Sequence, residues 1–319
     1  MTCLSNCKLF KMRNFFIKLS TSASARRFVT HFGPARRMAR RFVAGETLDE
    51  AVAVVKDLNR RGLKAIINEV GESVTTQAEA GAAAATFHTI LRRIDAEGLD
   101  ADISLKPSHV GLTFGSDFFY ENVADIVQTA RQYHNMVEID MEGSPDVDAT
   151  LAVYHRLLDT FGGGVRLAVQ SYLYRTPADV QAIIAQGGAI RLVKGAYQEP
   201  PEIAYQGKTE INAASKRVME LFFSPEARAN NAYLILGSHD PELIEWLIRE
   251  TKARGISPTQ FEFQMLLGIR RDEQQRLADL GYQVRIYVPY GSAWYPYFMR
   301  RLAERPANVL FMGRAMLGK

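Results

Sequence analysis

The chain has 319 residues, 47% of them hydrophobic, with two cysteines and a formal charge of +4. Its length admits one large domain or two ordinary ones, with enough apolar content for a sizeable core. The basic charge is confined to the first 41 residues, which carry ten Lys or Arg and no acid. The remainder carries 29 bases against 35 acids, which excludes a wide nucleic-acid footprint.

Residues 1–33 read as a basic tail containing Phe10, Phe15, Phe16 and many hydroxyls. Three readings stand open for it: a mitochondrial presequence, a disordered arm, or an artefact of start-codon choice with Met12 as the true start. Cys3 and Cys7 both lie there, so the body has no disulfide framework, iron–sulfur site or cysteine nucleophile. Residues 34–62 read as one or two short helices, with Thr47 and Glu50 spaced as a capping box. From residue 63 apolar or alternating runs predict eight strands, at 63–68, 102–106, 136–140, 165–170, 189–193, 232–236, 261–264 and 284–288. Helical patterns fill the gaps at 75–97, 118–133, 147–161, 177–186, 208–223, 241–254 and 271–280, and a last helix starts near Trp294. No segment approaches 18 consecutive apolar residues, so a transmembrane helix is not expected. Strand–helix alternation implies a parallel sheet with crossover helices, and eight units fit a closed (β/α)₈ TIM-like barrel of the α/β class. Residues 34–319 are expected to form this single domain. Gly-x-Gly-x-x-Gly and Walker patterns are missing, so direct use of NAD is not expected.

Barrel strands converge at their carboxyl ends on the site. Here those ends carry Lys106, Asp140-Met-Glu142, Gln170, Arg191, Lys194, Ser238-His-Asp240, Glu262, Gln264, Arg285 and Tyr287. Charges in apolar strands are costly unless paired, so the recurrence marks a pocket. Lys106, Arg191, Lys194, Arg300 and Arg301 point to an anionic ligand, balanced by Asp140, Glu142, Glu262 and Glu304. On the last helix Glu304 is i+4 from Arg300 and i+3 from Arg301, so one acid can orient a fork suited to a planar carboxylate. The same pattern also fits a solvated helix surface. His239 stands alone at its strand end without His-x-His or His-Glu-x-x-His, and no metal is expected. Plainer roles remain open at this level. Asp140 fits a counter-ion to a barrel cation, Gln170 a backbone partner, His239 a core histidine. Tyr197, Tyr287 and Tyr297 fit packing aromatics, and Glu262 an internal counter-ion.

Four runs carry a resemblance: Arg191-Leu-Val-Lys-Gly-Ala-Tyr197, Phe261-Glu-Phe-Gln-Met-Leu266, Tyr287-Val-Pro-Tyr-Gly291 and Tyr297-Phe-Met-Arg-Arg-Leu-Ala-Glu-Arg-Pro306. Over about residues 34–317 the chain resembles the proline dehydrogenase family, in its single-function bacterial form. It is similar to the corresponding domain of the bifunctional proline-utilisation flavoprotein. The resemblance implies a distorted (β/α)₈ barrel that binds FAD and oxidises L-proline to Δ¹-pyrroline-5-carboxylate by hydride transfer from C5 to flavin N5. A membrane quinone is the implied acceptor, with transient peripheral membrane contact. It implies Arg300, Arg301 and Lys106 as the carboxylate clamp, Glu304 as its orienting acid, and Tyr287 and Tyr297 around the proline ring. Asp140 matches an aspartate usually given as catalytic, although its position suits an electrostatic organiser of Lys106 or Arg191. Arg191 matches the catalytic group near flavin N5, and Met141, Gln170, Lys194, Gly195, Ala196, Tyr197, Ser238 and His239 match cofactor-contacting positions. The retained bulk of Tyr287 implies proline over 4-hydroxyproline; hydroxyproline oxidation and a non-enzymatic flavin-binding barrel are the alternatives. The strand-six run departs from the family's Ala-Thr-His: Ser238 keeps the hydroxyl, while Gly237 is expected to loosen the backbone and tune affinity. Location is expected to be cytoplasmic, peripheral to the inner membrane, or mitochondrial if the tail is a presequence. A homo-oligomer is compatible with all of this.

Overall fold

The computed structural model describes residues 37, 39–71 and 74–304, with 300–304 described by backbone only. The predicted tail 1–33, Met12 and both cysteines lie outside the described residues. Eight parallel strands close into a barrel in sequence order. They are β1 Lys64–Glu69, β2 Ala101–Leu105, β3 Val137–Ile139, β4 Val165–Gln170, β5 Ala189–Val193, β6 Tyr233–Gly237, β7 Phe261–Leu266 and β8 Gln283–Tyr290. Pairing of β1 with β8, from Lys64 opposite Arg285 to Glu69 opposite Tyr290, seals the cylinder. The strands are short and almost wholly buried, as expected when helices cover the outside of a parallel barrel.

The outer layer comprises α1 Leu48–Arg60, α2 Gln77–Ala96, α3 Ser116–Gln132, α4 Val147–Phe161 and α5 Thr176–Ala185. It continues with α6 Lys208–Leu221, the short α7 Pro225–Ala229, α8 Pro241–Ala253, α9 Arg271–Asp279 and α10 Trp294–Glu304. Thr47 caps α1 as its spacing requires, its hydroxyl accepting from Glu50 N while the Glu50 carboxylate accepts from Thr47 N. Sequence reading missed α7, a five-residue helix begun by the Ser224 cap and Pro225. It is too short to show a periodic apolar stripe.

The barrel departs from regularity at its seam. The helix α1, which precedes β1, packs on β1 and β8. That is the flank a regular barrel gives to the helix after β8. The final helix α10 is displaced from the flank and packs with Ala39, Val43 and Val70 through Trp294, Tyr295, Phe298 and Met299. Hydrogen bonds from Ala44 N to Pro289 O (2.8 Å) and from Gly291 N to Gly45 O (3.0 Å) fix this arrangement beside the end of β8.

Side chains pointing inward do not form purely apolar layers. Arg166 of β4 meets Asp102 of β2 at 2.8 Å, Asp102 meets Arg285 of β8 at 3.0 Å, and Arg285 meets Glu262 of β7 at 2.9 Å. Gln264 then donates to Glu262 at 3.3 Å and to Glu138 of β3 at 2.8 Å. Glu138 binds Arg191 of β5, which also binds Asp140 just past β3. Lys106 completes the series on Asp140 at 3.3 Å. The ladder contains four cations and four anions and is formally neutral. Each charge is matched because an unpaired ion in this interior is far more costly than a paired one. Glu262 is thus an internal counter-ion, one of its two open readings. Glu262→Ala strips the carboxylate from buried Arg285 and should destabilise the fold by about 3–5 kcal/mol. Urea unfolding measures it, and a loss no larger than that of the exposed pair Arg60–Asp57 would contradict the ladder.

Candidate active site at the carboxyl mouth of the barrel

Asp140 follows β3 directly and is two residues beyond Glu138, so both carboxylates face inward on the same side of the strand. Asp140 Oδ1 accepts from Arg191 and from Ser104 Oγ at 3.1 Å. Asp140 Oδ2 accepts from the Tyr287 hydroxyl at 3.0 Å and lies 3.3 Å from Lys106 Nζ. The Arg191 guanidinium also sits over the Tyr287 ring, 5.6 Å from its centroid. Five side chains from β2, β3, β5 and β8 are therefore locked to one another.

Burial alone would raise the Asp140 carboxyl, but Arg191 and then Lys106 outweigh it and hold Asp140 well below the usual carboxylate range. A group held this low is a poor proton acceptor at neutral pH. Of its two open roles, the organising one fits the geometry. Burial drives the Tyr287 hydroxyl well above its ordinary value, and the Asp140 charge adds to this, so Tyr287 stays protonated and donates. For Arg191, burial opposes the charge, but Glu138 and Asp140 prevail and keep it ionised. Glu138 is the exception: desolvation raises its carboxyl despite Arg191.

Beyond the strands, loops bind one another. Gln170, 3% exposed, donates to Glu142 O at 2.9 Å, which realises its backbone-partner reading. Glu142 itself accepts from Ser108 N and Oγ at 2.7 and 2.9 Å, tying the β3 loop to the β2 loop. Met141 is buried beside Asp140. After β5 the chain turns at Gly195, whose φ of +116° suits glycine and where a Cβ would lie 2.4 Å from the Tyr172 ring. Ala196 and Tyr197 emerge at the rim and are exposed. Lys194 reaches Asp240 at 2.5 Å. Ser238 Oγ accepts from Asp240 N at 3.1 Å, and His239 Nε2 accepts from Leu266 N at 3.1 Å. That acceptor role places the neutral imidazole proton on Nδ1.

Lys106, Arg191 and Lys194 each have a carboxylate partner, the first two in Asp140, one of the acids set against them, and Lys194 in Asp240, which was not. One expectation needs correction. Gly237 does not loosen β6, because it sits in regular register opposite Gln264. What its missing side chain provides is space: a Cβ there would lie 3.0 Å from Arg191 Cγ and 2.9 Å from Val193 Cγ1. Tyr297 is buried in the α10 cluster, and Arg300, Arg301 and Glu304 follow on the same helix. The side chains of those last three lie outside the described residues. Sequence reading missed Glu138, Ser104 and the Lys194–Asp240 pair. The period-two Glu138-x-Asp140 pattern was the available signal for Glu138.

The residues present fit a flavin. Arg191 Nε is buried with no hydrogen-bond partner among the described residues, a donor left over after both terminal nitrogens are used. An unused buried donor of this kind is compatible with an acceptor that the described residues do not supply. Lys194, Gly195, Ser238 and His239 stand at the adjoining strand ends, where a barrel binds its ligands.

An eight-stranded parallel barrel with a locked polar cluster at its carboxyl mouth has the organisation of a barrel enzyme. A sequence model of the family described as proline dehydrogenase matches residues 51–314. Proline dehydrogenase 1 of Bacillus subtilis (strain 168) is 36% identical over 310 residues, covering 97% of this chain and 100% of that protein. Proline dehydrogenase of Deinococcus radiodurans is 37% identical over 284 residues, covering 88% of this chain and 90% of the relative. The crystal structure of proline utilization A (PutA) from Bdellovibrio bacteriovorus, inactivated by N-propargylglycine, shares the fold. It has a TM-score of 0.82 at 20% identity, over 94% of this chain and 37% of that longer one. The chain belongs to the proline dehydrogenase family.

The Lys194–Asp240 pair carries a pH prediction. Burial raises the Asp240 carboxyl, but the Lys194 hydrogen bond and the Glu242 backbone N–H lower it further, from 3.8 to about 2. Its contribution to stability is complete above the unfolded value and is lost as pH falls through about 2. The stability difference between the wild type and Lys194→Met should therefore shrink on acidification across that window. Urea unfolding at a series of pH values tests this, and a constant difference would contradict the assignment.

Proposed function

We propose that this protein is an FAD-dependent proline dehydrogenase that oxidises L-proline to Δ¹-pyrroline-5-carboxylate and passes the electrons to a membrane quinone. The observation that carries the reading is the closed Asp140–Arg191–Lys106–Tyr287 cluster at the barrel mouth of a chain that belongs to the proline dehydrogenase family. Family membership and the names of the relatives in Bacillus and Deinococcus support the substrate.

When bound, FAD supplies the two-electron acceptor, taking hydride from proline C5 at its N5. Arg191, with Lys194, Gly195, Ala196, Gln170, Ser238 and His239, would hold it, with Met141 and Tyr197 flanking. The permanent charge of Arg191 would stabilise negative charge developing on the bound group. Lys106 with Arg300 and Arg301 takes the proline carboxylate, Glu304 orients the arginine pair, and Tyr287 and Tyr297 bound the ring. Fixing the carboxylate fixes C5, which converts encounter into orientation. The ammonium proton of proline must leave before hydride departs, so that the nitrogen lone pair can form the C=N bond. Neighbouring cations ease that loss, and the proton goes to solvent, because an Asp140 carboxyl held well below the usual carboxylate range is too weak a base to keep it. Asp140 keeps Lys106, Arg191 and Tyr287 in place.

A quinone acceptor requires transient contact with a bilayer, and the basic segment before residue 42 suits anionic lipid. No helix among the described residues is long and apolar enough to cross a membrane. This arrangement fits a peripheral protein at the cytoplasmic face of an inner membrane, or its mitochondrial equivalent.

The absorption spectrum of purified protein under anaerobic conditions tests the whole reading. A flavin band should be present, bleach on addition of L-proline, bleach far more slowly with 4-hydroxyproline, and return when quinone-loaded liposomes are added. No band, or a band that proline leaves unchanged, sinks the reading. Recovery with NAD⁺ but not with quinone overturns the acceptor, and faster bleaching by hydroxyproline overturns the assignment to Tyr287.

A further inference from the structure

Glu138 has no part in the scheme above, yet it is fully buried in the middle of β3, next to its most important cation. Its Oε1 accepts from Arg191 Nη1, and its Oε2 accepts from Gln264 Nε2 at 2.8 Å. Neither a guanidinium nor an amide NH₂ can receive a proton. A neutral carboxyl would aim its O–H at a donor, so the geometry fits the ionised form. Gln264 agrees, since its NH₂ lies between Glu138 and Glu262 while its oxygen has no partner. Two anions dictate that orientation of the amide.

The consequence falls on Arg191. With Nη1 on Glu138 and Nη2 on Asp140, rotation of the guanidinium about its stem would break one charge-assisted bond or both. The stem is confined as well, because Cγ and Cδ lie in the space that Gly237 leaves open. Asp140 alone cannot fix the plane, as its other oxygen serves Tyr287 and Lys106.

We propose that Glu138 is a positioning residue for Arg191, the buried carboxylate that sets the plane of the guanidinium and offsets its charge at the reaction centre. The inference rests on the flavin reading above. Glu138 and Asp140 together balance Arg191 and Lys106, so these four groups are formally neutral as a set. Removing the Glu138 charge leaves the mouth one unit more positive, which favours the reduced, more negative form of a bound flavin. Glu138 thereby holds the reduction potential down as well as holding Arg191 in place.

The test is the flavin reduction potential of Glu138→Gln, a nearly isosteric change, measured spectroscopically beside the wild type and Glu138→Asp. The potential of Glu138→Gln should shift to more positive values, with a matching displacement of the oxidised flavin band. Glu138→Asp, which keeps the charge, should move back toward the wild type. An unchanged potential and spectrum in a folded, flavin-loaded Glu138→Gln protein overturns the proposal. So does a shift that Glu138→Asp reproduces in full. Should Glu138→Gln fail to fold, Arg191→Met/Glu138→Gln should fold, because no unpaired guanidinium remains. A double variant as unstable as the single one overturns the pairing. A wild type without a proline-reducible flavin defeats the functional reading itself, whereas a normal wild type with an unshifted Glu138→Gln defeats only this inference.

Discussion

Arg191 lies in the middle of β5 with its guanidinium shared between Glu138 and Asp140 of β3, and the barrel interior is organised by that shared charge. A cation this deep is tolerated only with partners, and each partner needs its own. Compensation therefore runs down the barrel through Gln264, Glu262, Arg285, Asp102 and Arg166, and up to the mouth through Lys106 and Tyr287. Hydrophobic filling would have given a tighter core at less desolvation cost. The ladder gives instead a mouth whose charged groups are held in fixed places before any ligand arrives, which is what electrostatic preorganisation requires.

The seam supplies the second constraint. Because α1 covers β1 and β8 on the outside, α10 is released from the flank and packs with the turn around Ala39–Val43 and with Val70. Tyr297 is placed by that packing, and the backbone that carries Arg300, Arg301 and Glu304 continues from it. Two of the three cations proposed to grip the substrate carboxylate, Arg300 and Arg301, thus sit on an element distinct from the rigid strands that present Arg191, Asp140 and Lys106. One part of the site is fixed by barrel geometry and the other by a small separate cluster. This division suits an enzyme that must admit and release a small zwitterion.

The barrel was legible because each strand is a short apolar run and each helix is long enough to show its stripe. Strand boundaries agree within about two residues, the expected uncertainty of such readings. The cap at Thr47 was legible from spacing alone, whereas α7 was too short to signal. Asp140, Lys106, Arg191 and Tyr287 were legible as polar residues at strand ends, and the structure brings these four together. The pairing of Asp140 with Lys106 or Arg191 was legible, but its bonds to Tyr287 and Ser104 were not, since partners 30 to 150 residues apart leave no trace in local pattern. The same separation hid the pairing of Lys194 with Asp240. Glu138 was hidden for a different reason: it lies within its strand and not at the carboxyl end, and only the closed barrel shows its inward partners.

The account depends most directly on Asp140 being a permanent anion, fixed by Arg191 and Lys106, and not a base that takes the substrate proton. Infrared difference spectroscopy of protein carrying isotope-labelled aspartate, with Asp140→Asn as the reference, reads its protonation state without reference to turnover. The carboxylate band lost in Asp140→Asn should persist from about pH 8 down to about pH 3, below the pH at which ordinary carboxylates protonate. A protonated-carboxyl band assigned to Asp140 that grows in across that same range would contradict the account.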